Sequence, residues 1–368
     1  MKQARLKGRV RRRFARCSVI CGVAFLAASC SSASPSSTSG TKTSSTDITG
    51  GTASVACAGS LTKLYGTTLG PKFAEATGDH FGGPPCAGSS DLAQEIKSKA
   101  ISPGVFLAVG VSPIETLIPT RAKFVINLAT DPLVVAYSAK SRDASQLDAI
   151  ASGSKPVSDL FRLMATPGFK LGRTDPTQDP QGEFFILMME LAQTSLDLPA
   201  GEADAILGIS PSSPYGAASQ QFDEDVLPSD ELEGEVDAGS SYLSEALQYG
   251  LKYITLPSDL NFSDPADAST YSSVHLEVSG AAVKGTLVTL DATLVLPAPG
   301  TTVSAADQSA DDAFVTYLLS SAGRAVLHTA GYTVQAPTIV LAGGETTTSA
   351  LPTSVLAAFD GDHGVMAT

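Results

Sequence analysis

The amino-acid sequence predicts an α/β protein of two lobes, each built on its own sheet and joined by two crossover segments. Three observations carry that expectation. Residues 52–109 alternate between strand-like and helical periodicity in the order β-α-β-α-β, which calls for a parallel sheet with helices on its faces. The extended run Phe124–Tyr137 (FVINLATDPLVVAY) is interrupted once, at Asp131-Pro132, as a chain passing between lobes would be. The body, residues 53–342, is also longer than one hydrophobic core usually supports.

The chain begins with a basic head. Residues 1–29 hold Lys2, Arg5, Lys7, Arg9, Arg11, Arg12, Arg13 and Arg16 and no acid, and an apolar stretch from Val19 ends in Ala27-Ala28-Ser29-Cys30. That order marks a secretory signal, and the apolar run falls well short of the roughly 20 residues that span a bilayer. Leu26-Ala27-Ala28-Ser29-Cys30 resembles a bacterial lipobox, with Leu26 one place early and Ala27 in its position. Cys30 is therefore the expected lipidated first residue. Arg12-Arg13-Phe14 leaves both Sec and twin-arginine export open. Residues 30–52 are almost entirely Ser, Thr, Gly, Ala and Pro, a composition that buries too little apolar surface to fold and reads as a tether. The expected location is the outer face of the cell membrane, through a lipid anchor.

Loss of the signal removes eight of 24 basic residues and none of 37 acids, taking the formal charge from −13 to −21. Such an excess excludes nucleic acid and anionic membrane surfaces as partners. Any bound anion must be held by local dipoles against that field. Cys17 and Cys21 leave with the signal, so Cys57 and Cys86 remain in the body, and in an exported protein such a pair suggests a disulfide.

Cys57-Ala58-Gly59-Ser60 and Cys86-Ala87-Gly88-Ser89 are the same tetrapeptide. The first follows the strand-like Thr52–Ala56 and precedes a helical stripe of Leu61, Leu64, Tyr65, Leu69 and Phe73. The second leads into the helical segment 91–100, and the strand Val105–Val109 follows. Beyond the crossover, helices are expected near 157–164 and 184–196, a return through 250–257, strands at 274–278 and 285–296, and helices at 310–319 and 322–330. The lobes are bounded as 53–133 with 270–342, and 134–269. The tail, 343–368, is expected to be loosely held.

Ser60 and Ser89 each stand where a helix begins, with a hydroxyl and unpaired backbone N–H groups directed the same way. One such serine reads as a simple cap. Two in identical contexts at adjacent strand ends make two helix N-termini converge, which is a compact anion site without Arg or Lys. A third segment, Asp175–Gly182 (DPTQDPQG), runs straight into the apolar helix from Phe184, with Asp179 before Pro180 as an N-cap and the Gln181 and Gly182 amides opening the helix.

Ala58–Leu61, Ala87–Ala93, Leu133–Tyr137, Asp175–Gly182, Gly234–Tyr242 (GEVDAGSSY) and Gly250–Asp264 (GLKYITLPSDLNFSD) together resemble the molybdate/tungstate-binding proteins of ABC transporters, the last segment the tungstate-type branch. The likeness covers most of residues 55–335, in order. It implies a periplasmic-binding-protein-like fold of type II, with no cofactor and no metal beyond the bound oxyanion. It implies that Ser60 and Ser89 donate hydroxyl and amide hydrogen bonds, that Gln181 donates its amide, and that the Tyr242 hydroxyl reaches the ligand. Asp179 matches a carboxylate that approaches the metal of the oxyanion and expands its coordination. A second carboxylate precedes the tyrosine in that branch, and Ser241 stands there instead. The segment 222–234 is shorter than in the family, and a further backbone donor is expected near Val226. The implied partner is an ABC permease in the membrane, served by a monomer.

A tetrahedral dianion carries acceptors only, so hydroxyls and amides satisfy it fully, and charge-assisted bonds strengthen the hold. Phosphate and sulfate are the alternative ligands, phosphate because Asp179 could accept its proton. A surface lipoprotein that kept the fold for adhesion or sensing is an alternative of another class. Enzyme readings find no support: His80, His275, His328 and His363 are scattered, and no base accompanies Ser60 or Ser89. The acidic run Asp223–Glu235 fits no calcium loop and reads as a solvated loop.

Overall fold

The computed structural model describes residues 50–341, 351–358 and 365–367. The signal segment, Cys30 and nearly all of the tether lie outside the described residues. Strands are numbered along the chain as β1 (Thr52–Cys57), β2 (His80–Gly82), β3 (Val105–Val109), β4 (Phe124–Thr130), β5 (Leu133–Tyr137), β6 (Leu171–Thr174), β7 (Gln221–Phe222), β8 (Ala238–Tyr242), β9 (Lys252–Thr255), β10 (His275–Val278), β11 (Ala281–Lys284), β12 (Thr289–Leu294), β13 (Thr333–Leu341) and β14 (Val365–Ala367). Seven form one sheet, in the order β14-β13-β4-β12-β3-β1-β2, and five form another, β7-β6-β8-β5-β9. β10 and β11 make a separate hairpin.

The two sheets are the bases of two α/β lobes joined by two crossings. The chain leaves the first sheet at Thr130 and enters the second at Leu133, so the break at Asp131-Pro132 is the first crossing. Pro132 has no amide to donate, which ends the ladder there. The return crossing, residues 256–288, lies against the first. Asp131 N–H donates to the Val288 carbonyl at 3.1 Å, and Val288 N–H to the Phe262 carbonyl at 2.7 Å.

β1 is parallel to both β2 and β3, the arrangement predicted for residues 52–109. The whole sheet is mixed, because β12 returns from the second lobe between β3 and β4 and runs antiparallel to both. β8 (AGSSY) carries no strand-forming pattern, yet all five residues are buried between β5 and β6. Its small side chains are what the crowding requires: Gly239 faces Gly172 in register, and a Cβ on Gly239 would stand 2.8 Å from the Glu231 carboxylate. Tertiary packing overrides local propensity here.

The helical run after β1 opens as a 3₁₀ turn, Gly59–Leu61, and passes through Thr62–Leu64 and a π-helical turn, Tyr65–Leu69, to Gly70–Thr77. Its predicted apolar stripe is buried throughout. Phe73 meets Phe314 with ring centroids 5.0 Å apart, and Tyr65 meets Phe314 at 6.1 Å, both edge to face. Phe314 comes from the helix Ala305–Leu319, so this aromatic group ties a late element to the first strand–helix unit. In the tail, the helix Thr353–Ala357 buries Val355, and β14 pairs with β13.

Phe314→Ala leaves a cavity among Phe73, Tyr65 and Tyr317 and should cost about 3–5 kcal/mol in denaturant unfolding. A loss under about 1 kcal/mol would show that this aromatic group does not anchor the lobe.

Candidate anion-binding site

The functional side chains stand at the carboxyl ends of strands, where α/β sheets bind ligands. From the first sheet come the two serine turns. Cys57 and Cys86 are joined by a disulfide with Cα atoms 4.7 Å apart. Ala58 and Ala87 form a parallel bridge beside it, with Ala87 N–H donating to the Cys57 carbonyl at 3.1 Å. The helices that follow therefore begin side by side.

Neither serine is a cap. Ala58 and Gly88 occupy the cap positions, and Ser60 and Ser89 lie inside the first turns, fully buried. The Ser60 hydroxyl has no partner. The Ser89 hydroxyl accepts from Val109 N–H at 3.1 Å, which orients it and leaves its own proton to donate.

The second sheet contributes the opposite wall. Asp179 follows β6 and precedes the helix Pro180–Ser195, and its side chain makes no capping bond. Glu224 follows β7, and Tyr242 ends β8. Asp179, Glu224 and Tyr242 are buried, and their carboxylate and hydroxyl oxygens have no hydrogen-bond partner. Each wall meets the other at a glycine. A Cβ on Gly59 would overlap the Glu224 carboxylate and stand 2.9 Å from its Cβ, while one on Gly88 would overlap the Gln178 carbonyl and stand 3.2 Å from the Cβ of Asp179. Asp91 N–H donates across to that same carbonyl at 3.2 Å. A cavity of 320 Å³ opens beside these residues, lined by Cys86, Gly88, Asp91, Asp179 and Glu224 among others. A larger groove of 790 Å³, around Leu64, Leu247 and Val326, has no such convergence of polar groups.

Burial dominates the electrostatics. It pushes the Asp179 carboxyl up to about 7, with Asp91 and Asp175 adding to the rise, and that of Glu224 well above the ordinary range, with Asp179 and Glu245 adding to it. The Thr174 hydroxyl and Gln181 amide pull Asp179 back, and the Ser60 amide and hydroxyl pull Glu224 back, yet none closes a hydrogen bond of normal geometry. Glu245 is pushed up to about 8 by burial, though it accepts from Ser241 Oγ at 2.9 Å and Gln181 Nε2 at 3.0 Å. Ser240 Oγ donates to Gln181 Oε1 at 2.7 Å. This network clamps the Gln181 side chain and so fixes the helix start carrying its amide. At the crossing, Asp131 accepts from Ser244 N–H at 3.1 Å and Ser244 Oγ at 2.5 Å, and burial pushes it up to about 7.

Ser60, Ser89, Asp179, Gln181 and Tyr242 thus gather at one cleft, and two expectations change. The Val226 amide donates to the Asp223 carbonyl at 3.0 Å and is committed to its own turn. Ser241 turns to Glu245. The second carboxylate at the cleft is Glu224, from the acidic run that reads as a solvated loop; Glu224 and Glu231 are in fact buried. Glu224 stands two residues past the pairing of β7 with β6 and packs against Gly59, and no local pattern signals it. Among the described residues, no group of three or more His, Cys, Asp and Glu is placed to hold a metal ion.

The model of the bacterial extracellular solute-binding protein family matches residues 53–333. The chain belongs to this family. Membership makes it an exported protein, and among the described residues no helix is long and apolar enough to cross a membrane. Among curated relatives, the molybdate/tungstate-binding protein WtpA of Pyrococcus abyssi is 26% identical over 227 residues, 58% of this chain and 62% of the relative. A putative ABC transporter molybdenum-binding protein of Haloferax volcanii is 31% identical over 168 residues, 45% of this chain and 50% of the relative. The matches thus span half to about three-fifths of those relatives. Among solved structures, the periplasmic molybdate-binding protein of Azotobacter vinelandii aligns with a TM-score of 0.48 at 15% identity, over 77% of this chain and 99% of that one.

The buried and half-buried acids of this solute-binding protein should make its stability fall as pH rises. Asp131, Asp179, Asp291 and Asp311 are pushed up to about 7, and Glu183 and Glu245 to about 8. Their folded values exceed the unfolded ones, so the folded state holds extra protons between about pH 4 and pH 8. That stability is fully present below about pH 4 and lost as pH rises through the folded values. The ligand-free protein should therefore melt at a higher temperature near pH 5 than near pH 8, and Glu224→Gln should raise the melting temperature chiefly near pH 8. An unchanged melting temperature in Glu224→Gln at the higher pH would mean that this carboxylate is well solvated.

Proposed function

We propose that this solute-binding protein captures a tetrahedral oxyanion, molybdate or tungstate, between its lobes and delivers it to an ABC permease. The observation that carries the reading is the pairing of walls: buried Ser60 and Ser89 at converging helix starts face buried, partnerless Asp179, Glu224 and Tyr242. Hydroxyls and first-turn amides supply donors to the anion's oxygens, with the Gln181 amide joining from the opposite helix start.

The two carboxylates favour a particular kind of anion. In their ionised forms they would repel a fully ionised sulfate, and burial would strengthen that repulsion. Molybdenum and tungsten can accept further oxygen ligands, so Asp179 and Glu224 can turn toward the central atom while the serines hold the outer oxygens. Glu224 takes the part that the family resemblance gives to a carboxylate before the tyrosine. The named ligands of WtpA and of the Haloferax protein support the same reading. In this reading Cys30 carries the lipid, and a monomer works at the outer face of the cell membrane.

Calorimetric titration of the mature protein with molybdate, tungstate, sulfate and phosphate tests the proposal. Tight binding is expected with the first two and weaker binding with sulfate, and heat with none of the four would sink it. Ser60→Ala should weaken molybdate binding by roughly tenfold or more, since a hydrogen bond to a charged group contributes about 1.5–3 kcal/mol. Unchanged affinity in that variant would remove Ser60 from the site.

A further inference from the structure

The two serine turns are held in place unequally. β1 is paired on both sides, but β2 pairs with it only from Thr52 to Ser54, and the ladder stops at Gly82. Gly83-Pro84-Pro85 comes next. Gly83 has φ 145° and packs where a side chain would overlap the Val55 carbonyl, and neither proline can donate a ladder hydrogen bond. Beyond this break, the second turn is joined to the end of β1 by the Ala87–Cys57 backbone bond and by the Cys57–Cys86 disulfide. Leu92, Ala93 and Ile96 seat the helix Ser89–Ser98 on the sheet face, and the Ser89 hydroxyl meets β3. These contacts hold the helix down, while the cross-link acts at the turn itself, three residues before each serine. Cys57 is fully buried, whereas Cys86 is half-buried and lines the cleft cavity.

We infer that the Cys57–Cys86 disulfide is a specificity-determining element, which fixes the separation of Ser60 and Ser89 and so sets the size of oxyanion the cleft accepts. The inference rests on the reading of the serines as oxyanion donors. Molybdate and tungstate are larger than sulfate but similar in charge and shape, so, besides the bias set by the two carboxylates, the neutral donors distinguish them by spacing. Two turns tied by one backbone bond can shift around a smaller anion. Two turns also tied covalently are pre-organised for one size, and pre-organisation appears directly as affinity.

The test compares the mature oxidised protein with the Cys57→Ala/Cys86→Ala double variant, measuring molybdate and sulfate affinity by calorimetry and fold by circular dichroism. In the variant, the molybdate Kd should rise roughly tenfold while sulfate binding falls less or improves, so the preference narrows with the spectrum unchanged. Reduction of the wild type by a phosphine should reproduce the change, and reoxidation should reverse it. Equal loss for both anions, unchanged affinities, or a protein that unfolds without the bridge would each overturn the inference and leave the disulfide a staple of the fold. An oxidised wild type that binds no oxyanion overturns the site reading itself, and this inference with it.

Discussion

Two helix starts lie side by side because Ala58 and Ala87 pair at the end of β1 and the neighbouring cysteines are joined. That juxtaposition places two sets of first-turn amides and two buried hydroxyls at one point without a single cationic side chain. The opposite wall must then come close enough to use them, and glycine permits it. Gly59 admits the Glu224 side chain and Gly88 admits the Gln178-Asp179 backbone, so a methyl group at either position would hold the walls apart. The repeated tetrapeptide therefore serves two purposes, with its serine supplying a donor and its glycine admitting the facing lobe.

The charge at the cleft follows from the same closeness. Asp179 and Glu224 are taken out of water without a hydrogen-bond partner or an opposing cation, so their ionised forms are costly. Glu245 and Asp131, equally buried, are at least bonded to Ser241 and Gln181 or to Ser244. The bonded pair organises the site, whereas Asp179 and Glu224 are the partnerless carboxylates that the proposed function assigns to the ligand. A chain carrying so many acids cannot attract an anion at long range, so in the proposed function the hold comes from donors acting over a few ångströms.

The first wall was largely legible in the sequence. The twin tetrapeptides, the helical stripe after the first and the Asp131-Pro132 break are local features, each set by residues adjacent in the chain. The helix start at Asp179-Pro180-Gln181 was legible for the same reason, since a proline there is a local signal, whereas the roles of Asp179 and Gln181 at the site came from the family resemblance. Glu224 was not legible. It sits in a run of acids whose composition reads as solvated, yet it packs against Gly59, two residues past the pairing of β7 with β6. β8 was hidden likewise, because Gly239, Ser240 and Ser241 have no strand pattern and are placed by crowding from Gly172 and Glu231. The Val226 amide was expected only from the family resemblance, and the turn built on Asp223 consumes it.

The sequence alone was enough for the two-lobed α/β architecture, the serine turns and the pairing of Cys57 with Cys86 as an expectation, because hydrophobic period, turn chemistry and capping act over a few residues. The tertiary structure decided which carboxylate completes the cleft, which serine is diverted to Glu245, and how closely the walls approach. The approach of the walls depends on contacts between residues far apart in the chain, such as Gly59 with Glu224, and the turn of Ser241 to Glu245 on the buried setting of both, neither of which a short-range pattern encodes.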